Sequence, residues 1–137
     1  NFCAINAAGP DLIVFANPFY YNPQGPSDHT TTYNEAAYVE VSEDGNQFYR
    51  FPSSVAAGTD LWAIDRYHGL AGIQVQGDFF DLQTIIEKYQ LPSSFRACYV
   101  KIMDAGTEIL DADADSHINS SSGADIDAVQ ALHFELR

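Results

Sequence analysis

The sequence predicts a mainly β protein, an antiparallel β-sandwich carrying one short α-helix at about residues 81–89. Three observations point there: short apolar runs rich in Val, Ile and Phe, their separation by Gly, Pro, Asn, Asp and Ser, and a single stretch of helical periodicity. The chain has 137 residues, 46% of them hydrophobic and 13% aromatic, which suits one globular domain over 1–137. At that size roughly two thirds of the unfolded surface can be buried, so a core forms without a structural metal.

"DLIVFANPF" (11–19) reads as a buried strand stopped by Asn17-Pro18, and "NPQGPSDHTTTYN" (22–34), with two prolines and a glycine, reads as a loop. In "AAYVEVSEDGNQFYRF", Val39 and Val41 alternate with Tyr38, Glu40 and Ser42 before Glu43-Asp44-Gly45-Asn46. Asp-Gly between alternating segments marks a hairpin, because glycine takes positive φ without a Cβ clash. Leu61–Ile64 and Ile73–Val75 read as strands around a turn at His68-Gly69, with Trp62 expected among apolar neighbours in the core. The helix is "FFDLQTIIEKYQLP": Leu82, Ile85, Ile86 and Tyr89 share a face, Asp81 caps the start and Pro92 limits the end. "SSFRACYVKIM" reads as one strand, with Phe95, Ala97, Tyr99 and Lys101 opposite Arg96, Cys98, Val100 and Ile102; "TEIL" and "AVQALHFEL" complete the set.

Six basic residues against nineteen acidic ones give a formal charge of −13, and no Lys or Arg occurs before Arg50 or between Met103 and Leu136. Such a field repels phosphate backbones and anionic headgroups, so nucleic acid and membrane surfaces are excluded as partners. Solubility is the ordinary use of this charge, with cation binding or storage as the other. Cys3 and Cys98 stand alone, without CxxC or metal-ligand spacing. A bridge between them fits an oxidising compartment, the alternative being two separate buried thiols. No charged-then-apolar leader opens the sequence and no apolar run approaches 18 residues, so the expectation is a secreted, processed chain.

Catalytic signatures are missing: there is no G-x-S-x-G or H-E-x-x-H, and His29, His68, His117 and His133 share no pattern. No enzyme and no cofactor are expected. "DADADSHINSSSGADID" (111–127) places Asp111, Asp113 and Asp115 at positions 1, 3 and 5 of an EF-hand loop, but Ser116 and Ser122 stand where Gly and the bidentate Glu belong. The stretch is thus read as a charged loop between strands, with calcium binding weak at most.

"VFANPFYY" (14–21) resembles the opening strand of a βγ-crystallin motif, with Phe15, Pro18 and Tyr20 in place and Tyr21 where Gly would stand. "YHGLAGIQV" and "DIDAVQALHF" are similar to the region before that family's last strand, which supplies calcium ligands; of these Asp125 and Asp127 retain acids, while Ala71-Gly72 and Ala128-Val129 replace hydroxyl residues. "LPSSFRACYV" keeps Ser93-Ser94 without the acids. The resemblance to the βγ-crystallin superfamily implies a Greek-key sandwich and a non-catalytic, secreted, structural or storage-type protein with weak or lost calcium binding. The alternative is a binding module or toxin on that fold, with a carbohydrate or protein partner met by Tyr20 and Tyr21, since rings stack on sugars and anchor interfaces.

Overall fold

The computed structural model describes residues 2–20, 32–57, 63–105 and 124–136, with the backbone alone at 32–33. It is mainly β, with antiparallel sheets and one α-helix, as the sequence predicts. In chain order the elements are β1 (Phe2–Ile5), β2 (Leu12–Ala16), β3 (Phe19–Tyr20), β4 (Thr32–Tyr33), β5 (Ala37–Ser42), β6 (Tyr49–Arg50) and β7 (Ser54–Val55). A 3₁₀ turn (Ile64–Arg66) leads into β8 (Tyr67–His68) and β9 (Asp78–Phe80). The helix α1 (Leu82–Tyr89), β10 (Arg96–Ala97), β11 (Tyr99–Asp104), β12 (Ile126–Ala131) and β13 (Phe134–Leu136) follow.

Three three-stranded sheets, ordered β10-β1-β13, β11-β5-β6 and β12-β2-β9, surround the larger core; β3-β4 and β7-β8 are two-stranded ribbons. Leu12, Val14, Val39, Val41, Phe80, Leu82 and Ile85 fill that core, and Ala36, Tyr67, Leu70, Ile73 and Ala105 form a smaller second one. No helix among the described residues is long and apolar enough to cross a membrane.

The hairpin forms as expected. Glu40 and Val41 of β5 pair with Arg50 and Tyr49 of β6, and Gly45 takes φ +79°. Its turn is held by Asp44, whose carboxylate accepts the backbone N–H groups of Asn46 (2.8 Å) and Gln47 (3.0 Å); these two bonds favour the charged form and hold the group down at about 2. On the outer face of the sheet Glu40 meets Arg50 at 3.0 Å and Lys101 at 2.6 Å. Burial raises its carboxyl, but hydrogen bonding and the charges of the two cations outweigh that and leave it below the ordinary value.

The helix begins where Asp81 caps Gln83 N–H at 2.8 Å and ends at Gln90 in the left-handed conformation (φ 55°), two residues before Pro92. A second acid serves its first turn: Oδ2 of buried Asp11, at the start of β2, accepts Leu82 N–H at 2.9 Å.

Three expectations shift locally: "AVQALHFEL" divides at Leu132-His133 into β12 and β13, which join different sheets, Ile64 opens the 3₁₀ turn instead of ending a strand, and Thr32–Tyr33 of the expected loop pair with β3 as β4. Two need fuller correction. Residues 95–103 are not one strand with one alternation. Phe95 and Ala97 are core residues, but beyond Cys98 it is Val100 and Ile102 that pack on the core, and Tyr99 and Lys101 are exposed. The phase slips by one because the chain changes sheets there: β10 pairs with β1, whereas β11 pairs with β5, and Cys98 N–H donates to Ser42 O at the crossing. The second correction concerns 73–75, which form a turn and not a strand. Oδ2 of Asp78 accepts Ile73 N–H (3.0 Å) and Gln74 N–H (3.4 Å), and Gly72 (φ +80°) lies so close to Glu35 that an added Cβ would sit 2.1 Å from its carbonyl oxygen. Periodicity alone does not register such side-chain capture of backbone. Trp62, "TEIL" and residues 22–31 of the expected loop lie outside the described residues.

Asp78 gives a pH prediction. Burial pushes its carboxyl up to about 6 against the opposing pull of its backbone donors. A folded value above the unfolded one means that its contribution is fully present below the unfolded value and is lost as pH rises through about 6, an effect on the order of 3 kcal/mol. Asp44 and Glu40 act the other way: their contribution is lost as pH falls through their lowered values. Urea unfolding should therefore show maximal stability near about pH 4–5 and a decline toward neutrality. Asp78→Asn, which keeps an acceptor oxygen but has no charge to bury, should remove most of that decline. An equal decline in wild type and variant would contradict the assignment.

Candidate functional site

The register of the strands identifies a place where core-facing side chains meet solvent. Directly opposed residues in antiparallel strands share a face. On the core-facing side of β10-β1-β13 the opposed pairs are Phe2 with Leu136, Ala4 with Phe134, and Ala4 with Ala97, while Cys3 with Glu135 and Ile5 with Arg96 lie on the other. Ala4 and Ala97 are buried in the main core, yet Phe2 and Phe134 on the same face are 62% and 54% exposed, and Leu136 more so. The inward face of this sheet thus extends beyond what covers it.

The same happens in the neighbouring sheets. Val129 and Ala131 of β12 oppose Val14 and Leu12 of β2, which are buried, while Val129 is 40% exposed. Val100 of β11 opposes fully buried Val41 and is itself only partly covered. These faces converge on an open cleft of about 480 Å³, walled by Phe2, Ala4 and Phe134 on one side, Ala97, Cys98 and Val100 on another, and Leu12, Val129, Gln130 and Ala131 on the third. Phe2 and Phe134 stand edge to face at 5.4 Å between ring centres. Among the described residues no ionisable residue lines the cleft; Gln130 borders it through β12 but opposes Ile13, which puts its side chain on the outer face.

An uncovered face built from three sheets differs from the isolated exposed apolar residues that any protein surface carries. Phe79, also exposed, is of that ordinary kind: it sits on the outer side of β9, between buried Asp78 and buried Phe80. Two smaller, more polar hollows flank Phe95, one of about 270 Å³ with Asn6, Ser93, Ser94, Arg96 and Glu135, the other of about 350 Å³ with Glu43, Asp44, Gln47 and Tyr49. Their charged groups already satisfy one another: Arg96 donates to both Glu43 and Glu135, which raises its own pKa.

Of the described residues singled out as site candidates from the sequence, only Cys98 borders the cleft. Cys3 and Cys98 are joined, tying the central strand β1 to the point where the chain changes sheets, and Cys98 borders the cleft. Tyr20 is half-buried in β3, its hydroxyl accepting Gln76 Nε2–H at 2.7 Å. Asp125 and Asp127 are exposed at the start of β12; Asp125 N–H donates to Glu35 Oε2 at 3.3 Å. Among the described residues no three His, Cys, Asp or Glu side chains come together as a metal set. Asp111, Asp113, Asp115 and Tyr21 lie outside the described residues.

No family model, no curated protein and no solved structure matches this chain.

Sequence reasoning did not mark Phe2, Val100, Val129 or Phe134 as a site. Alternation in "AVQALHFEL" signals which residues face inward, but whether another element covers them is decided by strands distant in sequence.

Proposed function

We propose that the chain is a non-catalytic, secreted binding module on a βγ-crystallin-like sandwich, and that the cleft between β1, β11 and β12 is its ligand site. The observation carrying this reading is the set of inward-facing apolar residues from three sheets left open around about 480 Å³. That volume falls in the range of about 300–1,000 Å³ typical of small-molecule sites. A structural or storage role has no use for an uncovered core face, which turns the reading from that role toward binding. The Cys3–Cys98 bridge supports an oxidising compartment. The buried carboxylates Asp11 and Asp78 are occupied by backbone donors, in keeping with a framework and not with acid–base chemistry. Calcium at Asp125 and Asp127 stays weak on this reading, since neighbouring exposed acids alone do not supply the six to eight converging oxygens that calcium takes.

Titration with Nile red, an uncharged dye whose emission shifts to the blue in apolar surroundings, tests the reading. Saturable one-site binding is expected. Val129→Trp, which fills the cleft from its rim, and Phe134→Ala, which removes a wall, should each weaken binding at least tenfold while leaving the thermal midpoint within a few degrees. Absence of saturable binding to the wild-type protein, or unchanged binding in both variants, would refute the assignment.

A further inference from the structure

Phe134 and Leu136 lie on the cleft side of β13 and are 54% and 74% exposed, so burial of its own apolar face does little to hold this strand in place. Three opposed pairs with β1 hold its backbone, and His133 just before it is fixed on buried Asp11. A further hold lies on the back of the sheet. There Arg96 of β10 opposes Ile5 and Glu135 of β13 opposes Cys3, one strand on either side of β1. The Arg96 guanidinium reaches over β1: its Nη1 donates to Glu135 Oε1 at 2.5 Å, while its Nε donates to Glu43 Oε1 of the hairpin at 3.1 Å.

Resting on the binding reading above, we infer that Arg96 and Glu135 are the positioning pair of the cleft and make its affinity for an uncharged ligand sensitive to ionic strength. Side chains alternate across a strand, so the neighbours of this pair, Ala97 and Phe134, point to the front and wall the cleft from opposite sides of β1. A clasp on the back of the two flanking strands therefore sets how far apart those walls stand on the front. Dispersion contact falls steeply over a gap of about 0.5–1 Å, so a small outward swing of Phe134 loosens the grip on whatever fills the cleft. The side chains of the pair are 37% and 41% exposed, which leaves the clasp open to screening by salt.

Nile red, being uncharged, reports on the cleft without pairing to either residue. Its dissociation constant for the wild-type protein should rise about threefold between about 20 and about 500 mM sodium chloride, as an exposed ion pair is screened. In Glu135→Gln the constant should start about threefold higher and no longer respond to salt. Glu43→Gln takes from Arg96 its other carboxylate, so it should lower the thermal midpoint by a similar amount, yet leave the dye's affinity and its salt response as in wild type. In that background the exchange Arg96→Glu with Glu135→Arg, which restores the clasp with its charges reversed, should bind the dye as wild type does. An affinity that is flat or rises with salt, equal losses in Glu43→Gln and Glu135→Gln, or no recovery in the exchanged pair would overturn the positioning role, and saturable dye binding would leave the binding module standing. If Nile red does not bind, both readings fail together.

Discussion

Replacing Asp11 with alanine is expected to lower the unfolding free energy by about 3–5 kcal/mol, the range for removing one partner from a buried charged network. Asp11 is fully buried. Its carboxylate accepts Ala7 N–H and Leu82 N–H, each at 2.9 Å, and lies 3.0 Å from His133 Nδ1. Its own N–H donates to Phe80 O and its carbonyl accepts Leu132 N–H. One residue therefore joins the chain leaving β1, the junction of β9 with α1, and the bend between β12 and β13. Alanine would strand the buried Leu82 N–H with no acceptor, which costs more than the net worth of that bond itself, and would release Ala7 N–H and His133 as well. Asparagine, retaining one acceptor oxygen, should lose less. Urea unfolding of both variants checks this, and a loss below about 1 kcal/mol in alanine would contradict it. Because His133 precedes Phe134, the alanine variant should also weaken Nile red binding.

Reducing the Cys3–Cys98 bridge is expected to cost about 4–5 kcal/mol on the chain-entropy model, because the bond closes a loop spanning most of the chain. The sequence separation is 95 residues, and the tied strand β1 is central in its sheet. Its release frees β1 to leave β10 and β13, so the wall of the cleft goes with it. The paired variant Cys3→Ser with Cys98→Ser, compared with wild type in oxidising and reducing buffer, separates the bridge from the chemistry of the reductant. Unfolding midpoints that coincide in all three conditions would mean the bridge contributes nothing.

The features legible in the sequence are those fixed by neighbours in the chain. The Asp-Gly hairpin, the Asp81 cap with the face Leu82, Ile85, Ile86, and the stop before Pro92 each depend on residues within one or two turns of each other. The bridge was legible because two cysteines leave one pairing. The illegible parts depend on distant partners. The phase slip at Cys98 exists because β1 and β5 compete for neighbouring stretches of one apolar run. The turn at 73–78 exists because a buried carboxylate draws the backbone onto itself. The cleft was hidden for the same kind of reason: Phe2, Val129 and Phe134 carry the inward-facing signature of core residues, and only the assembled sheets leave them uncovered. The acids that drew attention in the sequence, Asp125 and Asp127, stand exposed at the start of β12 and outside that cleft.

The most direct test of the cleft is a methyl-resolved carbon–proton spectrum of the wild-type protein titrated with 1-decanol. Saturable shifts are expected, confined to the methyls of Ala4, Leu12, Ala97, Val100, Val129 and Ala131, with Val55, Leu70 and Ile73 around the smaller core unmoved. Shifts that spread over both cores, or a spectrum that does not change at saturating decanol, would contradict it.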